Sequence, residues 1–273
     1  MADTNGGPDR PPVTGMDRPA KTSESSSKYL NMLVYGRSGV GKTYLAGTGP
    51  KPVYIIDCDK GTMSLADSED VYFERVTTLA EILSRVSYLQ KGFKADPNFY
   101  KVVVFDNLSE GQQLILHSLT GGKQPEIRDW GNILTTMSAL IRDIRDLPCH
   151  KLWIAQQYTG KDGIISPALS GSISSKIPEY FDVVANYASK TIAVPIPGTN
   201  PQQAELQNIR ALQCWISPEV VAKDRSGRLE EFEKPNLGRI IKKIQAARPK
   251  AETATTATVA AAAVKKETQT DGK

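Results

Sequence analysis

The octapeptide Gly36–Thr43, GRSGVGKT, carries the residue types that hold a polyphosphate. It fits G-x-x-x-x-G-K-[ST] at every fixed position. Gly36, Gly39 and Gly41 let the backbone take positive φ and come close to a ligand. Arg37, Ser38 and Val40 add their N–H groups, and the loop can then form an anion nest before a helix. Lys42 would reach the β and γ phosphates, and the Thr43 hydroxyl would ligate Mg²⁺. A Gly-rich turn is the bland alternative. The apolar run NMLVYG before it and a helical pattern after it supply the context that a phosphate loop needs.

Two further segments end in carboxylates. VVVFDN ends a buried-strand run at Asp106, where a carboxylate beside a phosphate loop would hold Mg²⁺. The competing role is a helix cap, by Asp106 or Ser109, for the segment DNLSE. The next residue is Asn107, an amide that cannot take a proton from water. A general base must therefore come from elsewhere, and YIIDCDKG offers Asp57 and Asp59. In a parallel sheet the C-terminal strand ends share the edge where ligands bind. Residues two apart on an extended segment point the same way. Asp59 is thus the candidate base and Asp57 a brace. A solvated turn at DCDKG is the alternative, since Asp and Gly favour turns.

Positioning these groups requires strands. Apolar runs at 31–36, 52–57, 100–106, 151–157 and 181–187 are continuous rather than alternating, which predicts strands covered on both faces. Between them, TTLAEILSRVSYLQKG places Leu79, Ile82, Leu83, Val86 and Leu89 at helical spacing. EIRDWGNILTTMSALIRDIRDLP does the same with Trp130, Ile133, Leu134, Met137, Leu140, Ile141 and Ile144, and Pro148 stops it. Strand–helix alternation predicts an α/β fold with a mostly parallel central sheet flanked by helices. The folded part is expected over 28–246. Residues 1–27 are almost free of large apolar side chains and 247–273 are an Ala/Thr/Lys tail, so both are expected to be disordered.

Composition narrows the class. At 273 residues the chain can build a real core without staples, and Cys58, Cys149 and Cys214 show no CxxC spacing. Scattered cysteines suit a reducing cytoplasm. No leader-like or membrane-spanning apolar run is present, so no membrane partner is expected. The net charge of +4 permits a nucleic-acid partner without demanding one.

With a base after the second strand, the constellation resembles the RecA-like P-loop ATPases. The closer resemblance is to shortened, phage-encoded members that accompany single-strand annealing proteins and are called AAA family ATPases. It is carried by GRSGVGKT, VVVFDN, GSISSKIPEYFDVV and AKDRSGRL…PNLGRII in that order, over about residues 30–245. The resemblance implies ATP and Mg²⁺ as ligands. It implies a γ-phosphate sensor at Gln156, from LWIAQQY. It also implies a flexible loop that binds single-stranded DNA, Tyr158–Lys176, with Tyr158, Lys161, Lys176 and Lys190 as contacts. Tyr158 as a core residue is the alternative. Lys223 and Arg225 would reach a neighbouring subunit's nucleotide, so a homo-oligomer with ATP at the interface is implied. AKDRSGR as a solvated turn is the alternative. A single-strand annealing or binding protein is the implied partner, in the host cytoplasm. Asp59 stands where RecA has a longer Glu, which implies slow hydrolysis. Two other classes remain: a nucleotide-gated adaptor with little turnover, and a small-molecule kinase. TGKDGIISPALSGS has no Arg for a kinase lid. Lys190–Ala211 is consistent with a strand pair around a polar loop.

Overall fold

The computed structural model describes residues 29–195 and 204–246, with the side chains of 177, 178, 190–195, 204 and 206 left aside. The expected N-terminal arm, the C-terminal tail and the Lys190 side chain lie outside the described residues. In chain order the elements are β1 (Asn31–Gly36), α1 (Lys42–Gly47), β2 (Val53–Asp57), β3 (Val71–Arg75), α2 (Leu79–Ala95), β4 (Val102–Asp106) and α3 (Leu108–Thr120). There follow α4 (Ile127–Arg145), β5 (His150–Thr159), β6 (Ile165–Pro167), α5 (Ile173–Tyr180), β7 (Val183–Pro195), β8 (Ala204–Gln213), β9 (Lys223–Asp224), β10 (Phe232–Glu233) and α6 (Leu237–Gln245). A 3-10 turn, Thr62–Leu65, lies between β2 and β3.

The strands form one sheet in the order β10-β8-β7-β1-β5-β4-β2-β3. From β7 to β3 every neighbouring pair is parallel, and β8 and β10 close the other side antiparallel. The continuous apolar runs are explained by two cores. In β1, Leu33 and Tyr35 enter the layer filled by α2, α3 and α4, with Ile82, Ile115 and Met137 among its contacts. Met32 and Val34 enter the opposite layer, with Leu45 of α1 and Leu237 and Ile240 of α6. Each strand residue is buried on one side or the other because period-2 side chains meet a helix layer on both faces. This is the α/β arrangement, a mostly parallel central sheet flanked by helices, that the sequence predicted.

Three expectations need adjusting. β3 (VYFER) was not among the five predicted strands. It is an edge strand with no fully buried residue, so it lacks the continuous apolar run that reveals the inner strands. The segment Tyr158–Lys176, expected as a flexible loop, carries regular structure. Gln157–Thr159 of β5 pair antiparallel with β6, Gly160 N–H donates to Ile164 O, and α5 follows. Ile165 N–H also donates to Glu219 O, which ties the turn to the chain beyond β8. Finally, α3 is capped by Asn107 rather than by Asp106 or Ser109. The strand pair expected within 190–211 is present among the described residues as the β7–β8 ladder, in register from Asn186↔Gln213 to Pro195↔Ala204.

The sheet's lower end is fixed by a buried polar node. Asn31 Nδ2 donates to Tyr180 O at 2.8 Å, and Trp153 Nε1 donates to Asn31 Oδ1 at 2.9 Å. Trp153→Phe removes a donor from a buried amide oxygen. It is expected to lower unfolding stability by about 1–3 kcal/mol, read from the midpoint of a urea transition; an unchanged midpoint would show that Asn31 finds another partner.

Candidate active site

Parallel pairing brings the chemistry to one edge. Gly36 of β1 is in register with Gln156 of β5, and Asp57 of β2 with Asp106 of β4. The C-terminal ends of four strands therefore present the phosphate loop, two carboxylates and a glutamine side by side.

Two of the three loop glycines take the positive φ expected of them, and Gly36, at the end of β1, does not. Gly39 and Gly41 have φ of 77° and 105°. Lys42 Nζ donates to the carbonyls of Gly36 at 2.8 Å and Arg37 at 2.9 Å, which centres the ammonium inside the loop. Burial lowers the pKa of Lys42, and the charges of Asp106 and Asp59 oppose that shift. At Gly36 a side chain would run into the Tyr187 carbonyl, so only glycine fits there.

Asp106 is buried to 2% exposure. Thr43 Oγ1 donates to its Oδ2 at 2.6 Å. Burial pushes the Asp106 carboxyl up to about 6; the Thr43 hydrogen bond and Lys42 pull down, while Asp57 and Asp59 add repulsion. Two hard oxygen donors already in contact, in an acidic pocket, fit a Mg²⁺ ion. A Cβ on Gly61 would stand 3.2 Å from Thr43 Oγ1 and 3.8 Å from Asp106 Oδ2, so a glycine keeps the space over these donors clear. When bound, Mg²⁺ would supply charge neutralisation between the phosphates.

Asp59 reaches the same pocket. Its Oδ2 accepts from Asn107 Nδ2 at 2.6 Å. The amide cannot be turned round, because Asn107 Oδ1 accepts from Glu110 N at 2.7 Å as the α3 cap. Asn107 thus has a job that the sequence reading missed: it joins the α3 N-terminus to the candidate base. The Asp106–Asn107 peptide is cis. Asp57 is the brace expected of it. Its Oδ1 accepts from the N–H groups of Asp59 at 3.1 Å and Gly61 at 3.4 Å, and Arg75 Nε lies 3.7 Å from its Oδ2. Gln156 sits beside Gly36, with its N–H donating to Ser109 Oγ at 3.1 Å.

The other candidates lie apart from this cluster. Tyr158, at 57% exposure, and Lys161 stand on the same sheet edge beyond Gln156, and Lys176 is exposed on α5. The exposure sets aside the core reading of Tyr158. Lys223 and Arg225 are at the opposite end of the sheet. Lys223 pairs in β9 with Val184, and its Nζ donates to Phe181 O at 3.1 Å. Arg225 Nη1 pairs with Asp182 at 3.2 Å. Asp182, the partner of Arg225, bonds to Asn31 at the start of β1, and within one chain the loop stands at the other end of that six-residue strand, about 17 Å away at ~3.3 Å per residue.

These elements define a P-loop nucleoside-triphosphate site on a parallel α/β sheet. A family model described as an AAA domain matches residues 28–226, and the chain belongs to that family of P-loop ATPases, which generally bind ATP with Mg²⁺. The chain is similar in structure to a KaiC-like protein of the hyperthermophilic archaeon Pyrococcus horikoshii OT3. The two share 11% identity, and the match covers 67% of this chain and 84% of that one at a TM-score of 0.39. No curated protein matches the sequence. Among the described residues no helix is long and apolar enough to cross a membrane.

The Asp106 shift has a consequence for the metal-free protein. In the unfolded chain this acid titrates near 4. Between about pH 4 and 6 the folded state holds the extra proton, so stability falls as pH rises through that window and the full penalty stands above it. In EDTA at pH 8, Asp106→Asn is expected to stabilise the fold by about 1–3 kcal/mol, while Mg²⁺-dependent nucleotide binding is lost. The gain should vanish near pH 4; a variant that is destabilised at pH 8 refutes the burial penalty.

Proposed function

We propose that this chain binds and hydrolyses ATP and acts on single-stranded DNA, in phage recombination, replication or repair. The reading rests chiefly on one observation. Lys42, Thr43, Asp106 and Asp59 converge on one sheet edge, with Asp59 held by Asn107. Lys42 would neutralise charge on the transferring phosphoryl group, and Thr43 and Asp106 would hold Mg²⁺. Asp59 would orient or deprotonate the attacking water, with its second oxygen available while Asn107 fixes the first. Gln156, next to Gly36 and at the start of the β5–β6 hairpin, would sense the γ phosphate and pass its presence to Tyr158 and Lys161.

The DNA component is supported by an exposed aromatic and two exposed lysines beyond that sensor. A stacking platform and phosphate-neutralising cations are what a single strand needs. A homo-oligomer in which Lys223 and Arg225 face a neighbour's nucleotide is part of the same proposal, as is a single-strand annealing or binding protein as partner. The resemblance that underlies both extends from the phosphate loop to PNLGRII.

A second reading, a nucleotide-gated adaptor with little turnover, draws on the Asn107 hydrogen bond, which occupies one of the two Asp59 oxygens. Phosphate release with and without single-stranded DNA, over a range of protein concentrations, separates the two. The ATPase reading expects turnover that rises with DNA, its loss in Lys42→Ala, and ATP binding with about 10²-fold slower hydrolysis in Asp59→Asn. Tight ATP binding without turnover in the wild type selects the adaptor. Undiminished turnover in Asp59→Asn places the base elsewhere.

In an oligomer with a shared site, Arg225→Ala should lose turnover and regain it when mixed with a Lys42→Ala chain. Failure of the mixture to recover argues that Arg225 serves only its Asp182 pair.

A further inference from the structure

The strand pair β7–β8 carries an arginine to the phosphate loop of its own chain. In this ladder Tyr187 faces Leu212 and Ser189 faces Arg210, so the four side chains share one face of the hairpin. Tyr187 and Leu212 belong to the core that also contains Val40 and Leu45, so that face is the one on which the loop and α1 lie. Distances agree with the register. A methyl placed on Gly41 would stand 3.2 Å from Arg210 Nη1 and 3.3 Å from the Tyr187 hydroxyl oxygen. The Tyr187 hydroxyl is raised by burial and lowered by the charge of Arg210 and a hydrogen bond from it.

Charge bookkeeping distinguishes this arginine from Arg225. The guanidinium donates to a neutral phenol, and a phenol leaves most of its five N–H groups and its whole charge uncompensated. Among the described residues no carboxylate pairs with Arg210, whereas Arg225 is paired with Asp182. A planar fork of donors beside a phosphate-binding loop is matched to phosphate oxygens.

We propose that Arg210 binds the polyphosphate seated on Gly36–Thr43 of the same chain, with Tyr187 as the positioning residue that aims its guanidinium. The inference rests on the ATP site proposed above and adds a cation in cis to Lys42. It also gives the β7–β8 hairpin a direct contact with the nucleotide, so the state of the ligand is felt in that hairpin.

The test is equilibrium binding of a fluorescent ATP analogue with Mg²⁺ to the full chain, with thermal melting to verify that each variant is folded. Arg210→Ala is expected to weaken binding about 10–100-fold, and Arg210→Lys to recover part of the loss. Tyr187→Phe should weaken binding by a smaller factor in the wild-type background and have no effect once Arg210 is alanine, because its role passes through that residue. If Arg210→Ala binds as the wild type does while Lys42→Ala does not, the proposal fails and the phosphate loop stands. If Lys42→Ala also binds like the wild type, both readings fall. Recovery of tight binding on mixing Arg210→Ala with Lys42→Ala chains would place the arginine in trans and overturn the proposal. So would loss of single-stranded oligonucleotide binding with nucleotide affinity intact.

Discussion

The site depends on keeping a carboxylate ionised where the fold disfavours it. Asp106 ends a fully buried strand, and burial, with repulsion from Asp57 and Asp59, holds its carboxyl up at about 6 even though Thr43 and Lys42 pull it down. The surrounding groups answer this cost in stages. Thr43 donates a hydrogen bond, Lys42 brings a positive charge, and Gly61 leaves space where a cation would complete the neutralisation. The ammonium gains reciprocally, since its own burial disfavours its charge and the two acids restore it. The site is thus an electrostatic arrangement that is unfavourable by itself and becomes favourable with a metal–nucleotide complex, because ligand that binds only the folded form adds its binding energy to the fold.

That arrangement is held by backbone rather than by side-chain reach. Register fixes Asp57 beside Asp106 and Gln156 beside Gly36, so a slip of one residue in either ladder would turn a functional group into a core layer. Asn107 adds the cross-link. One amide caps α3 through its oxygen and holds Asp59 through its nitrogen, which joins the β2 and β4 ends through a single side chain. An acid in place of Asn107 could not make the second bond when ionised, since a carboxylate only accepts. The amide after Asp106 and the acid after β2 are therefore two halves of one solution.

Much of this was legible in the sequence, and the reasons are particular. The inner strands announce themselves because helices cover both faces, so every residue is buried and nearly every one is apolar, as in β1 and β4. The phosphate loop is legible because its geometry restricts residue type at fixed spacing. Asp59 was reachable from the shared edge of parallel strands. β3 was not, because one of its sides is open and its residues are half exposed. The structured turn after Tyr158 was hidden because its order comes from Glu219, over fifty residues later, while its own composition is Gly- and Ser-rich. Arg210 left no local signal at all. Nothing in LQNIRALQ marks it, and only the pairing of β8 with β7 brings it to Gly41.

Strand β7 links the two ends of the molecule. Its start, at Val183 and Val184, pairs with β9, which carries Lys223 and lies beside the Arg225–Asp182 pair; four residues on, Tyr187 touches both Gly36 and the neighbourhood of Gly41. Between these points β7 is held by β1 along Val183–Asn186, with β9 on its other side at Val183 and Val184 and β8 from Asn186 onward. The phosphate loop and the surface bearing Lys223 and Arg225 are thus connected through one continuous strand. A packed element in contact with both regions supplies the contiguity for coupling, and coupling itself would need this strand to have two arrangements that both sites bias.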